Sequence, residues 1–495
     1  MKGVLKKRRL EELRKSLPWS VGLLLLQILV SWMLYIRVEA IVFDAYLEII
    51  VPLSVISHLI LFGTYIMRAD RMLVISLLFL FHLGVVLQIN LVDVDALEKG
   101  LAAEKVVEQE IIATEDGVVE DGAVQEEVVE NPVKTILTNN IVVIVGALLC
   151  TIVFCFMYHF VDLQLLQKLM IVATAGMFLL LILFCTGAHG VKAWLSLGGF
   201  RFQVTELIKL SSLLYLCLLY ADVFWTTGQK LCRVGCFLGG ITLGFLVINE
   251  LGTVIIIWVV ALVLTFMALD LSDFLMLAGA LFAMVLLVVL VVTKLNLGYM
   301  AGTKNALTTL GFEIFQKVYH RFQLVYDLDS LDPYGTAYQS VIARKAIQLG
   351  NFWGTSEHNL KIPVAQSEYI MVYACLKYGL FLVLLVSMVY VGVILRGNRI
   401  AERQKEDAFS YIGIACAYSL GIQSLLTILG TCGLLPLSGL PIAFLSDGFS
   451  MQFISFISMF LLVYTSSKCS GVYETARGRR MLGWVKGIIP HIAKF

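Results

Sequence analysis

The sequence predicts an all-α polytopic membrane protein. Apolar residues make up 59% of the 495-residue chain and charged residues only 15%. Apolar runs of about 20 residues, the length of helix that crosses a bilayer, recur from one end to the other. Basic residues gather in short clusters at alternate gaps between those runs. Together these features exclude an ordinary soluble domain.

Twelve spans follow, centred near Leu26, Val55, Leu80, Leu148, Met177, Tyr215, Ile241, Val260, Val285, Val383, Tyr418 and Phe456. The short pair flanking Asn249 reads as two spans or as one broken hairpin. The basic clusters are Lys6 to Arg9; Arg68 and Arg71; Lys230 and Arg233; Arg396, Arg399 and Arg403; and Arg477, Arg479, Arg480 and Lys486. Twelve spans place them all on one side, which the positive-inside rule makes cytoplasmic, so both termini are expected inside. The first span follows a basic, signal-like start without a small-residue cleavage site and reads as a retained helix. Most of the ten cysteines lie within spans as small apolar fillers. Cys232 and Cys236 have no histidines near them, so no metal site is expected there.

Three segments outside the spans differ in kind. Residues 93–134 hold thirteen acids against three bases, which predicts a loosely structured acidic loop on the outer side. Residues 294–368 interleave aromatic, apolar and charged side chains, which predicts a packed subdomain between spans nine and ten. Within it Asp332-Pro333-Tyr334-Gly335 marks a turn, and Tyr338 to Gln348 has the composition of a short helix lying along the membrane. The last outer segment, Gly433 to Ser450, contains Pro436, Gly439, Pro441 and Gly448. Backbone breakers at membrane level are tolerated only where they line a cavity or are buried in protein.

Ionisable residues in or beside spans are the functional candidates. Glu206 and Lys209 lie three apart on one helical face, where they form either a structural ion pair or part of a polar cavity. Glu250, between two apolar runs, is placed to cap the second helix. Glu368 stands where the long outer segment re-enters the membrane. It is either a helix N-terminal acid or, with a pKa raised by desolvation, a general base. Arg321, Arg344, Lys345 and Lys361 give the same segment positive charge, suited to a pyrophosphate, a carboxylate or lipid headgroups.

Four separated motifs carry a family likeness. Gly190-Val191-Lys192-Ala193-Trp194 followed by Gly199 to Lys209 resembles G-A-x-x-W and F-Q-P-S-E-L-x-K. Glu250-Leu251-Gly252-Thr253 resembles P-D-L-G-T. Arg321, Tyr338-Gln339, Ala346-Ile347, Gly350, Gly354 and Pro363 through Ile370 resemble a large outer loop ending P-E-x-x-T-D-F-I-F. Pro436 through Pro441 and Phe444 to Gly448 resemble P-x-T-G-I-P-L-P-F-x-S-Y-G-G-S. These motifs, in this order, resemble the SEDS family of bacterial shape, elongation, division and sporulation proteins, typified by FtsW, RodA and SpoVE.

The resemblance implies a ten-helix core over residues 71–468, preceded by a basic tail and an added two-helix hairpin over 1–70 and followed by a basic tail over 469–495. It also implies a peptidoglycan glycosyltransferase of the bacterial plasma membrane, which polymerises lipid II at the outer face. Glu368 falls on the family's catalytic aspartate, Glu206 and Lys209 on its polar-cavity pair, and Arg321 on its loop arginine, which implies Glu368 as general base, Lys209 and Glu206 as catalytic residues tuning it across the cavity, and Arg321 engaging the pyrophosphate of the substrate. Lys361, Gln339, Trp194, Lys192 and Ser446 are expected to bind substrate, and Glu250, Gly252, Thr253, Pro436, Gly439 and Pro441 to be structural. The pyrophosphate leaving group needs positive charge, from a divalent cation such as magnesium or manganese or from Arg and Lys. Expected partners are lipid II, nascent glycan strands, membrane lipids, a class B penicillin-binding protein and components of the division or elongation machinery; nucleic acid is not expected. The chain departs from the pattern at Glu368 for aspartate, Val364 for glutamate, Asn249-Glu250 for Pro-Asp, Val204 for proline, and at Leu376-Lys377, Asp447 and Phe449. Two other readings are a lipid-linked precursor transporter and a catalytically weak scaffold for a partner synthase.

Overall fold

The computed structural model describes residues 2–36, 40–92, 132–184, 193–197, 200–248, 250–355 and 360–469. Residues 93–131 of the acidic segment, Lys192, Asn249 and the tail beyond Cys469 lie outside the described residues. The helices are α1 (Lys2–Tyr35), α2 (Ala40–Met67), α3 (Arg71–Ile89), α4 (Pro132–Phe160), α5 (Leu163–Phe184), α6 (Val204–Ala221), α7 (Thr227–Val247) and α8 (Gly252–Ala268). They continue with α9 (Leu271–Met300), α10 (Ala306–Tyr326), α11 (Tyr338–Gly350), α12 (Ile370–Tyr378), α13 (Leu380–Glu402), α14 (Asp407–Thr431) and α15 (Phe449–Ser467). Among the described residues eleven helices are long and apolar enough to cross a membrane, and α8 is a shorter apolar one. Every expected span centre falls within one of these twelve helices. The chain is a multi-pass helical membrane protein.

The pair around residue 249 is two helices, and α8 has 17 residues. At 1.5 Å per residue that is about 26 Å, slightly under the thickness of a hydrocarbon core. Conversely, α9 runs to Met300, so the ninth span extends nearly two turns beyond the expected loop start at Lys294. A two-stranded hairpin, β1 (Trp194–Leu197) paired antiparallel with β2 (Phe200–Gln203), leads into α6. Its alternation is too short to register beside the surrounding apolar runs.

α3, α6, α14 and α15 are largely enclosed, whereas α4, α5 and α9 expose most of their apolar surface. The added hairpin docks on α3 through polar side chains as well as apolar ones. Gln27 is within 2.9 Å of His82 Nε2 and accepts the Ser54 hydroxyl at 2.7 Å, and both Gln27 and His82 are buried. His58 belongs to the same hairpin network, its Nδ1 lying 2.8 Å from the Ser54 carbonyl. At one end of the bundle Asp70 caps α3 through Leu73 N and pairs with Arg396 at 3.2 Å, while its own N–H donates to Ser466 Oγ. These contacts bring two of the basic clusters and the end of α15 to one end of the molecule.

The opposite end, where α3 stops and α4, α6, α8 and α15 start, carries α10, α11 and the segment before α12. The interior there leaves no room for added atoms: a Cβ on Gly84 of α3 would lie 2.1 Å from the Phe444 carbonyl oxygen. Gly84→Ala is therefore expected to lower unfolding stability by about 1–3 kcal/mol through overpacking. Gly63→Ala, in a site with nothing within 4 Å, should be neutral or slightly stabilising. Thermal unfolding of the two variants checks the difference.

Candidate active site

The chain between Pro436 and Gly448 has no helix or strand, yet much of it is buried. Its peptide groups need partners, and side chains of the surrounding helices supply them. From α14, Gln423 Nε2 donates to the Pro441 carbonyl (3.0 Å), Thr427 Oγ1 to the Leu440 carbonyl (3.0 Å), and Ser424 Oγ accepts from Ala443 N (3.2 Å). Tyr390 of α13 donates to the Ala443 carbonyl, and Gln88 of α3 to the Leu445 carbonyl at 3.0 Å. The loop in turn holds the segment before α12: Ser446 Oγ donates to the Ser367 carbonyl and Asp447 N to the Gln366 carbonyl, both at 2.7 Å. Glu368 is the next residue.

Arg321 reaches the same loop from α10. Its Nη1 donates to the Ser438 carbonyl at 3.4 Å. Gly439 has φ +71°, and a Cβ there would lie 3.0 Å from Arg321 Nη2 and 3.8 Å from Glu368 Oε1. Glycine thus both supplies the left-handed backbone and leaves space for the two side chains. α10 can present its cations because it has two faces. Phe315, Tyr319, Phe322 and Tyr326 form an aromatic stripe at spacings of three and four, stacked in pairs. Lys317 and Arg321 lie on the other side of the helix.

The electrostatics follow from burial and mutual charge. Burial pushes the Glu368 carboxyl above the usual glutamate range, while Arg321 and then Lys317 pull it back. Lys317 is pushed down to about 8, by burial first and by Arg321 second, with Glu250 and Glu368 opposing. Arg321 is lowered by burial and supported by Glu368 and Glu250. Glu250 accepts the Thr253 hydroxyl at 2.7 Å, its Oε2 has no hydrogen-bond partner, and burial raises its pKa. Next to it is the buried pair in which Lys209 Nζ donates to Glu206 Oε2 and to Gln423 Oε1. Three carboxylates and three cations thus share one end of the bundle, with Gln423 joining the inner pair to the Pro441 carbonyl.

Several expectations are corrected. Lys209 and Glu206 form the expected pair, but the charges that act on Glu368 are Arg321 and Lys317; the inner pair reaches the loop only through Gln423. Lys317 escapes motif reading, although its i, i+4 spacing to Arg321 was a usable signal. Glu250 does not cap α8 through the backbone, since the N-cap is Leu251 and no side chain fills that role. Ser446 is fully buried, accepts from Ile442 N at 2.7 Å and donates to the Ser367 carbonyl, so it holds the segment that leads to Glu368. Lys361 and Gln339 are exposed with no described contact to this cluster. Trp194 sits on β1 opposite Gln203, away from Glu368 in the chain's contacts and 37% exposed. Gly252 and Thr253 are structural: a Cβ on Gly252 would lie 2.6 Å from the Ser438 carbonyl oxygen. Pro436, Gly439 and Pro441 belong to the loop itself. Among the described residues no three His, Cys, Asp or Glu side chains converge to hold a metal ion.

Removing one member of a buried ion pair leaves an uncompensated charge and costs about 3–5 kcal/mol. Lys209→Met should show that loss in thermal or denaturant unfolding, and Glu206→Gln combined with Lys209→Met should recover most of it. Equal losses in the single and double variants would contradict a coupled pair.

Residues 118–470 match the family described as cell cycle protein, FtsW/RodA/SpoVE. A probable peptidoglycan glycosyltransferase FtsW of Geobacter sp. (strain M18) is 24% identical over 305 residues, which span 59% of this chain and 77% of that protein. The peptidoglycan glycosyltransferase RodA of Mycobacterium bovis is 27% identical over 285 residues, 56% of this chain and 58% of that protein. Among solved structures, a chain from a peptidoglycan synthase complex that coordinates polymerization and crosslinking superimposes with a TM-score of 0.50 at 18% identity, covering 68% of this chain and 91% of the other. That likeness speaks for the fold alone. The family match begins after α3, so the place of α3 in the core is read from its packing against α13, α15 and the loop. With more than two thirds of its length matched, the chain belongs to the FtsW/RodA/SpoVE family of cell cycle proteins.

Proposed function

We propose that this protein is a peptidoglycan glycosyltransferase that polymerises lipid II at the outer face of the plasma membrane, with Glu368 as general base. The observation that carries the reading is a desolvated carboxylate faced by two cations, Arg321 and Lys317, at the end of the bundle opposite the basic clusters. By the positive-inside rule that end is the outer one and both termini are cytoplasmic. The relatives named peptidoglycan glycosyltransferase support the reaction class.

In the proposed step, Glu368 takes the proton of the acceptor sugar's 4-hydroxyl as its oxygen bonds to the donor's anomeric carbon. The bond from that carbon to the pyrophosphate oxygen breaks, the configuration inverts, and undecaprenyl pyrophosphate leaves. Arg321 and Lys317 stabilise the charge that develops on the leaving group. A magnesium or manganese ion would help to offset that charge, but the described residues form no cage of three or more His, Cys, Asp or Glu for one. Glu206, Lys209 and Gln423 act by holding the Pro441 end of the loop. The structural neighbour's place in a complex for polymerization and crosslinking is the ground for expecting a crosslinking partner, a class B penicillin-binding protein.

Purified protein with such a partner should polymerise lipid II. Glu368→Gln should lose about 10²–10⁴-fold in rate, the usual contribution of a general base, while still folding. Full activity in that variant would sink the mechanism. Rate should rise with pH as Glu368 loses its proton, since the base form is present above its raised pKa. It should fall again near pH 8, where Lys317 loses its charge. Lys317→Arg should keep the positive charge and move or abolish the high-pH limb, which a pH–rate profile reads directly.

A further inference from the structure

A second cavity, of about 470 Å³, opens at the same end of the bundle, between the last turns of α3, the first turns of α4 and the start of α15. Its polar lining includes Gln88, Asn139, Asn140, Gln366, Asp447 and Gln452, and among the described residues no lysine, arginine or histidine lines it. Apolar side chains such as Leu91 and Val143 complete the wall. One buried acceptor in it is unanswered, and one exposed carboxylate stands at its mouth. Gln452 is 5% exposed; its Nε2 donates to the Ser446 carbonyl at 3.1 Å, and its Oε1 has no partner. Asp447 stands at the mouth, just before α15, yet no side chain caps that helix. Burial raises the Asp447 pKa with no neighbouring charge contributing. Leaving a buried acceptor unpaired costs about 1–3 kcal/mol, so a ligand rich in N–H donors gains by entering.

We propose that this cavity is a binding site for a primary ammonium group on an alkyl arm, carried by a peptide. The carboxylate at the mouth and the unpaired amide oxygen in the wall receive the ammonium, the apolar wall covers the methylenes, and the side-chain amides of Asn139 and Gln366 suit peptide groups. A phosphate or carboxylate would meet Asp447 without any cation to offset it. The site rests on the proposed function in one respect: the peptide is that of a peptidoglycan precursor or strand. Gln366, two residues before Glu368, would place such a peptide beside the reacting sugar. Asp447 is also a point where the chain departs from the family's last motif.

The test is calorimetric titration of the full-length protein in nanodiscs with acetyl-alanyl-lysine amide and with the same peptide acetylated on the lysine side chain. The lysine peptide should bind about tenfold or more tightly than the acetylated one, and Asp447→Asn should erase that difference while leaving the acetylated peptide's affinity unchanged. Equal affinity of the two peptides for wild type, no binding by either, or an Asp447→Asn protein that still prefers the lysine peptide would each overturn the site. Binding is read without turnover. A protein that polymerises lipid II but shows no preference loses this site alone, and one that shows the preference but does not polymerise loses the catalytic reading alone.

Discussion

The end of the bundle that carries Glu368 depends on a stretch of irregular backbone, Pro436 to Gly448, held at the level of the helix ends. Regular helices satisfy their own peptide groups, but this loop cannot, and in an apolar setting each orphaned group costs several kcal/mol. Gln423, Ser424 and Thr427 of α14, Tyr390 of α13 and Gln88 of α3 meet that requirement from three directions. The same loop then fixes residues 366 and 367 and accepts Arg321, so the placement of the carboxylate and of one of its cations is a consequence of the loop's hydrogen bonding. Close approaches at Gly84 and Gly252 show how little space the arrangement leaves.

Around that frame, desolvation and charge oppose each other. Desolvation favours the neutral forms of both Glu368 and Lys317; Glu368 and the two cations support each other's ionised forms, while Arg321 opposes the charge on Lys317. The outcome is a carboxylate whose pKa lies above the ordinary glutamate value and a lysine whose pKa is pushed down to about 8. Glutamate in place of the family's aspartate carries the carboxylate one methylene farther. At Gly439 the absence of a side chain is what makes room for it beside Arg321.

The helical class and all twelve apolar segments were legible in the sequence, because burial in a membrane demands long apolar runs whatever the tertiary packing. The need for the Pro436–Gly448 stretch to be buried was legible too, from Pro and Gly at membrane depth. What was not legible is which side chains satisfy it: Gln423, Tyr390 and Gln88 sit inside apolar runs, and nothing local marks a polar residue in a helix as a partner for a loop dozens or hundreds of positions away. For the same reason motif spacing identified Glu206 with Lys209, a local i, i+3 pair, but not Lys317, which together with Arg321 acts on Glu368. Ser446 was placed on substrate because it lies in a motif; its burial shows that a motif position can serve the backbone of the site and not its surface.

The central claim is that Glu368 is a half-buried carboxylate whose ionisation is set by partial desolvation and by the cations of α10. Infrared titration of the protonated-carboxyl band, assigned by difference against Glu368→Gln, measures that ionisation in the folded protein. The account predicts a pKa above the ordinary glutamate value in wild type, and a further rise in Arg321→Met and in Lys317→Met as each removes a charge that favours the carboxylate. An unshifted pKa in wild type, or one indifferent to both cations, would contradict it.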